Sequence, residues 1–108
     1  MSQTILDAYA VTPPSAQNAL DIFQGEWTSR FPASCGLTAG EIPSFEDMRV
    51  LWAIQESGGV EGQSVLELGP LEGGHSFMLQ EYGKAASITA IEANTRAYLK
   101  CLIVNVSS

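Results

Sequence analysis

The stretch Val65-Leu-Glu-Leu-Gly-Pro-Leu-Glu-Gly-Gly-His75 joins three patterns in one short run. An apolar, β-prone segment from Ser64 to Leu68 carries a single carboxylate, Glu67. A loop holding Gly69, Gly73 and Gly74 follows, and helical spacing then runs from His75 to Tyr82. Strand, tight loop and helix start, in that order, predict the place in an α/β protein where backbone approaches a nucleotide-like ligand and helix N–H groups aim at it.

Downstream, Met78, Leu79 and Tyr82 are expected on the buried side of that helix, with Gly83 in the left-handed position that closes it. Ser87-Ile-Thr-Ala-Ile91 is a second strand ending at Glu92. Asn94 can cap a further helix to about Val104, with Tyr98, Leu99, Leu102 and Ile103 on one face and Cys101 and Val104 beside them. Residues 64–104 thus read strand, helix, strand, helix, and a crossover helix makes the two strands parallel neighbours.

Upstream, Ser44-Phe-Glu-Asp47 has the form of a capping box, with Ser44 as cap and Asp47 reaching back. The helix behind it runs to about Ser57 with Phe45, Met48, Leu51 and Trp52 on one side, and Gly58-Gly59 stops it. Residues 27–43 have loop composition and suit either a lid or a mobile connection. A first helix is expected from Ala16 to Phe23, capped by Ser15, with Trp27 continuing its apolar face. Met1 to Val11 carry no strong period, and Thr12-Pro13-Pro14 keeps a helix from crossing them. The division is an N-terminal helical and loop region, 1–63, and the start of a ligand-binding domain, 64–108. No internal repeat supplies further strands.

A chain of 108 residues suits one small domain, and 45% hydrophobic residues suit a folded one. The net charge of −7, with no run of Lys or Arg, leaves no basic footprint for nucleic acid. No apolar run is long enough to span a bilayer and no secretory segment opens the chain, so no membrane association is expected. Cys35 and Cys101 read as reduced thiols of a cytoplasmic protein.

The loop chemistry selects among cofactors. A dinucleotide fingerprint needs glycine where the frame from Gly69 places Leu71, and Glu67 and Glu72 would oppose a pyrophosphate. The same two acids favour a ligand with a cationic end and no phosphate, such as S-adenosylmethionine. Glu67 can serve the ammonium, Gly69 can lie against the ligand, and the N–H groups near Gly74 and His75 can meet the carboxylate. Glu92, about twenty positions after Gly73, stands where a carboxylate accepts both ribose hydroxyls.

Val65-Leu-Glu-Leu-Gly69-x-x-x-Gly73 followed by Ile88-Thr-Ala-Ile-Glu92 resembles motif I and the next acidic motif of class I S-adenosylmethionine-dependent methyltransferases. It is similar to a bacterial group of that family carrying Leu-Glu-Leu-Gly-Pro-Leu-Glu-x-Gly-His, with a Phe-Glu-Asp helix upstream and an Ala-Tyr-Leu-Lys-Cys-Leu helix downstream. The resemblance covers Ser44 to Val104 well. It implies a partial Rossmann-like α/β fold, S-adenosylmethionine as cofactor, and Glu67, Gly69, Leu71, Gly73 and Glu92 as cofactor-contacting positions. The family's central loop glycine is Leu71 here, which demands a different loop path. The family sheet resembles a seven-stranded one, of which this chain supplies two strands. The resemblance therefore implies a truncated unit, inactive alone, with its acceptor-side residues elsewhere.

Other chemistry is weaker. His75 is the single histidine, has no metal-ligand partners at the right spacing, and reads as a capping or packing residue. Glu46-Asp47 fits capping better than acid/base work. Trp27, Phe45 and Trp52 read as core. Ser76 lacks a Gly-x-Ser-x-Gly frame. The alternatives are a non-catalytic truncated module or assembly partner that pairs through an exposed sheet edge, and a nicotinamide-dependent oxidoreductase.

Overall fold

The computed structural model describes residues 9–107, with side chains described to Asn105. Most of the aperiodic Met1–Val11 segment lies outside the described residues. Among them are four helices, α1 (Ala16–Asp21), α2 (Met48–Glu56), α3 (Gly74–Glu81) and α4 (Thr95–Ser107). Two strands complete the set, β1 (Ser64–Leu68) and β2 (Ser87–Ile91). The protein is a small α/β unit whose strands are parallel, in register Val65 to Ile88 and Glu67 to Ala90.

The helix signals work locally, with corrections. Ser15 caps α1 through Asn18 N–H at 3.1 Å, and Asn94 caps α4 through Ala97 N–H at 2.9 Å. Helix α1 ends earlier than its apolar spacing suggests, and Trp27 lies beyond it. Trp27 is buried all the same, because the chain turns back at Gly25 (φ 81) and its Nε1–H reaches Leu20 C=O at 2.8 Å. The capping box at Ser44 does not form. Ser44–Glu46 make a 3-10 turn, and Asp47 itself caps α2 by accepting from Arg49 N–H at 3.0 Å. At the end of α3 the left-handed residue is Lys84 (φ 56), not Gly83. Gly83 is needed for closeness: a Cβ there would stand 2.6 Å from Val60 Cγ2 and from Leu79 C=O.

The core lies to one side of the sheet. Leu20, Phe23, Trp27, Phe31, Phe45 and Val104 form a buried cluster. Its aromatic rings touch in series, Phe23–Trp27, Trp27–Phe31, Phe31–Phe45 and Phe45–Phe77, with centroids 4.7–6.5 Å apart and mostly edge to face. The 27–43 connection is therefore no free lid. It contributes Phe31 to the core, folds back through Arg30 N–H to Ile42 C=O and Gly40 N–H to Ser29 C=O, both 2.8 Å, and includes a 3-10 turn at Ala33–Cys35.

Alternation places Val65, Glu67, Ile88 and Ala90 on one face of the sheet and Leu66, Leu68, Thr89 and Ile91 on the other. Helix α3 partly covers the first, leaving Val65, Glu67 and Ile88 half-buried and Ala90 exposed. The second is open: Leu66, Leu68 and Ile91 are 63%, 74% and 57% exposed. Trp52, expected in the core, is 64% exposed on α2. Tyr98, Leu99 and Leu102 are exposed on α4, which instead buries Ala97, Lys100 and Val104; Tyr82 is also exposed. The accessible surface of 7562 Å² exceeds the about 5,800 Å² of a closed monomer of this mass. The radius of gyration is 15.4 Å, against about 13 Å for a compact chain of this length. Hydrophobic patterning is thus present on surfaces that no other described residue covers.

Candidate functional site

The carboxyl ends of β1 and β2 and the 69–73 loop assemble one site. Gly69 (φ 71) turns the chain out of β1, and its N–H donates to Ile91 C=O at 2.9 Å, tying the loop's start to the end of β2. Leu71 follows at φ 56, a conformation that costs a side chain about 1–2 kcal/mol. Gly73 (φ 86) is the N-cap position of α3, and its N–H donates to Pro70 C=O at 3.0 Å. Leu71 thus adopts the left-handed conformation that favours glycine, at that cost, and does not avoid it by a different turn.

Glu92 holds this loop. Its Oε1 accepts Leu71 N–H at 2.7 Å and its Oε2 accepts Asn94 N–H at 3.0 Å. The Asn94 and Leu71 N–H groups, in that order, hold the Glu92 carboxyl below its usual range, so it is ionised at neutral pH. Glu67, half-buried at the tip of β1, accepts a short hydrogen bond from the Ser76 hydroxyl on α3. The structure therefore brings together Glu67, Gly69, Leu71, Gly73 and Glu92, the residues singled out in the sequence.

Glu72 is placed elsewhere. It is 2% exposed, turned away from solvent beneath the loop. Its Oε1 accepts Ser29 N–H at 2.7 Å, Thr28 N–H lies 3.1–3.2 Å from both oxygens, and Lys100 Nζ stands 3.0 Å from Oε2. Burial alone would raise its carboxyl, yet these partners hold it lowered. Ser29 Oγ is buried beside it without a well-formed hydrogen bond, so the lowering is assigned mainly to the two backbone N–H groups and Lys100. Lys100 also donates to Glu26 C=O and lies 5.5 Å from the Trp27 ring centre. Glu72 is thus a structural tie, so the case against a pyrophosphate rests on Leu71 and Glu67.

Two features have no signal in the sequence. Lys100 is the buried counter-ion of Glu72, 28 positions away. Asp47 joins His75 Nε2 at 3.1 Å, again 28 positions away, while Arg49 holds the same carboxylate at 2.7 and 3.0 Å. Neither pair has a local spacing signature. Cys101 Sγ lies 3.0 Å from Leu71 C=O; burial first, then Glu92, Glu67 and Glu72, push its thiol up to about 11, which makes it a poor nucleophile.

The residues fit a phosphate-free nucleoside cofactor. A Cβ at Gly69 would meet nothing within 4 Å, which leaves open space where a ligand can lie on the backbone. Each Glu92 oxygen accepts one backbone N–H and keeps a lone-pair position for a ribose hydroxyl. No group of His, Cys, Asp and Glu that could hold a metal occurs among the described residues, and none of their helices is long and apolar enough to cross a membrane. No family model matches the chain, and no curated protein or solved structure matches it either.

Proposed function

We propose that this chain is the S-adenosylmethionine-binding portion of a class I methyltransferase, a partial Rossmann-like unit acting in the cytoplasm. The observation that carries the proposal is the pair Glu67 and Glu92 at the carboxyl ends of adjacent parallel strands, either side of a loop with three left-handed residues. In such an arrangement Glu92 accepts the ribose hydroxyls and Glu67 faces the cationic amino end. Gly69 admits the ligand to van der Waals contact, Leu71 shapes the loop around it, and Gly73 opens the helix whose first turn meets the carboxylate. When bound, the cofactor supplies a methyl group on a sulfonium for in-line displacement. The chain's contribution is positioning and electrostatics.

Calorimetry with S-adenosylhomocysteine and with NAD tests this. The homocysteine analogue is expected to bind and NAD is not; NAD binding without the analogue would overturn the proposal and favour a nicotinamide-dependent oxidoreductase. Glu92→Ala is expected to weaken the analogue about tenfold or more, the effect of losing hydrogen bonds to a charged acceptor. Unchanged affinity removes Glu92 from the site.

A second reading, a non-catalytic module that pairs through its sheet edge, is favoured by the exposure of Leu66, Leu68 and Ile91. The two readings make different demands on the isolated chain, one for cofactor binding and the other for a partner strand.

A further inference from the structure

A groove of about 540 Å³ runs between α2, β1 and α3. Its wall is apolar, formed by Val50, Ile54, Val65 and Leu79, and its polar end holds Asp47 and His75. Glu67 borders it too, so it adjoins the candidate cofactor site through a shared residue. The volume lies within the range of small-molecule sites, about 300–1,000 Å³.

The polar end has a defined hydrogen-bond sense. The Arg49 guanidinium beside Asp47 holds its carboxyl well below the usual carboxylate range, so Asp47 is ionised and can only accept. His75 Nε2, 3.1 Å away, must therefore donate. In a neutral ring that leaves Nδ1 unprotonated and able to accept a proton or a hydrogen bond. Carboxylate, oriented imidazole and apolar wall together suit a ligand with an apolar body and one hydroxyl. Arg49 lines the groove as well, but its guanidinium is engaged by Asp47, and Glu67 adds a second carboxylate, so a neutral ligand suits the groove better than a phosphorylated one.

We infer that this groove is the acceptor subsite, binding an apolar small molecule through a hydroxyl that donates to His75 Nδ1, with Asp47 as the residue that positions the ring. The word acceptor rests on the methyltransferase reading; the binding site does not. His75 is thereby more than the capping residue its position suggests.

Nitrogen-15 NMR of the His75 ring, with 4-ethylphenol as probe, tests the inference. The neutral ring is expected as the Nε2–H tautomer, and the phenol is expected to shift Nδ1 saturably. Asp47→Asn should erode the tautomer preference, and His75→Leu, which keeps the groove apolar, should weaken phenol binding about tenfold. Ala53→Trp, an exposed position on the rim, should block binding without touching the dyad. Circular dichroism confirms that each variant is folded, and if His75→Leu is not, Ala53→Trp decides the matter. An Nδ1–H tautomer, no saturable response at His75, or phenol binding that survives the folded variants would overturn the subsite. Phenol binding at His75 in a chain that does not bind S-adenosylhomocysteine would keep the subsite and overturn its acceptor role.

Discussion

Glu72 shows how one side chain can look like a ligand group and serve as a structural tie. A carboxylate in a glycine-bearing loop invites a reading toward the cofactor, yet the backbone N–H groups of Thr28 and Ser29 and the Lys100 ammonium consume it. Removing one partner of a buried ion pair costs about 3–5 kcal/mol, because the other charge is left uncompensated. Glu72→Ala is expected to lose stability in that range, measured by urea denaturation. The pH dependence follows in sign. Its carboxyl is lowered in the folded state, so the stabilisation is complete above its ordinary value of 4.5 and is lost as pH falls through the depressed folded value. Acid titration of stability should be less steep in Glu72→Gln than in the parent chain; equal profiles would show that Glu72 does not carry the linkage. Glu92 and Glu67 were legible because a strand end fixes a side chain's location from local pattern. Glu72 was not, since its partners come from residues far along the chain.

At the level of elements, backbone closeness decides more than helix propensity. Helix α3 begins where a Cβ at Gly74 would stand 2.7 Å from Ser44 C=O and 2.8 Å from Ser44 Cβ, so the 3-10 turn before α2 presses directly on the helix start. Gly74→Ala is expected to destabilise by about 1–3 kcal/mol, the usual cost of overpacking, and to disturb the site because α3 carries Ser76 and His75. A thermal midpoint unchanged within error would show that the contact relaxes freely. The left-handed closure of α3 falls on Lys84, leaving Gly83 for the approach of Val60. Glycine content marked this helix end correctly, but which glycine function applied at which position depended on the neighbour. The capping box failed for a similar reason: Asp47 is drawn to Arg49 and His75 and starts α2 itself.

For the molecule as a whole, the open face of the sheet is the dominant fact. Among the described residues nothing covers the surface that holds Leu66, Leu68 and Ile91, and a parallel pair of strands is ordinarily buried on both faces. Exposed apolar residues beside an unpaired strand edge promote association. Light scattering of the isolated chain is expected to show concentration-dependent association, and Leu68→Lys is expected to reduce it with the fold retained. A monodisperse monomer with cooperative unfolding would argue against edge pairing.

The amino-acid sequence by itself determined the order of strand, loop, helix and strand, the caps of α1 and α4, the parallel pairing, and the grouping of Glu67, Gly69, Leu71, Gly73 and Glu92. These follow from periodicity and from short-range backbone geometry. Only the tertiary structure decided that Glu72 turns inward to Lys100, that His75 meets Asp47, that Phe31 enters the core, and that Trp52, Leu66 and Leu68 stay exposed. Apolar spacing says which residues can be buried, whereas burial itself requires a partner surface, and ion pairs across distant segments leave no local pattern to read.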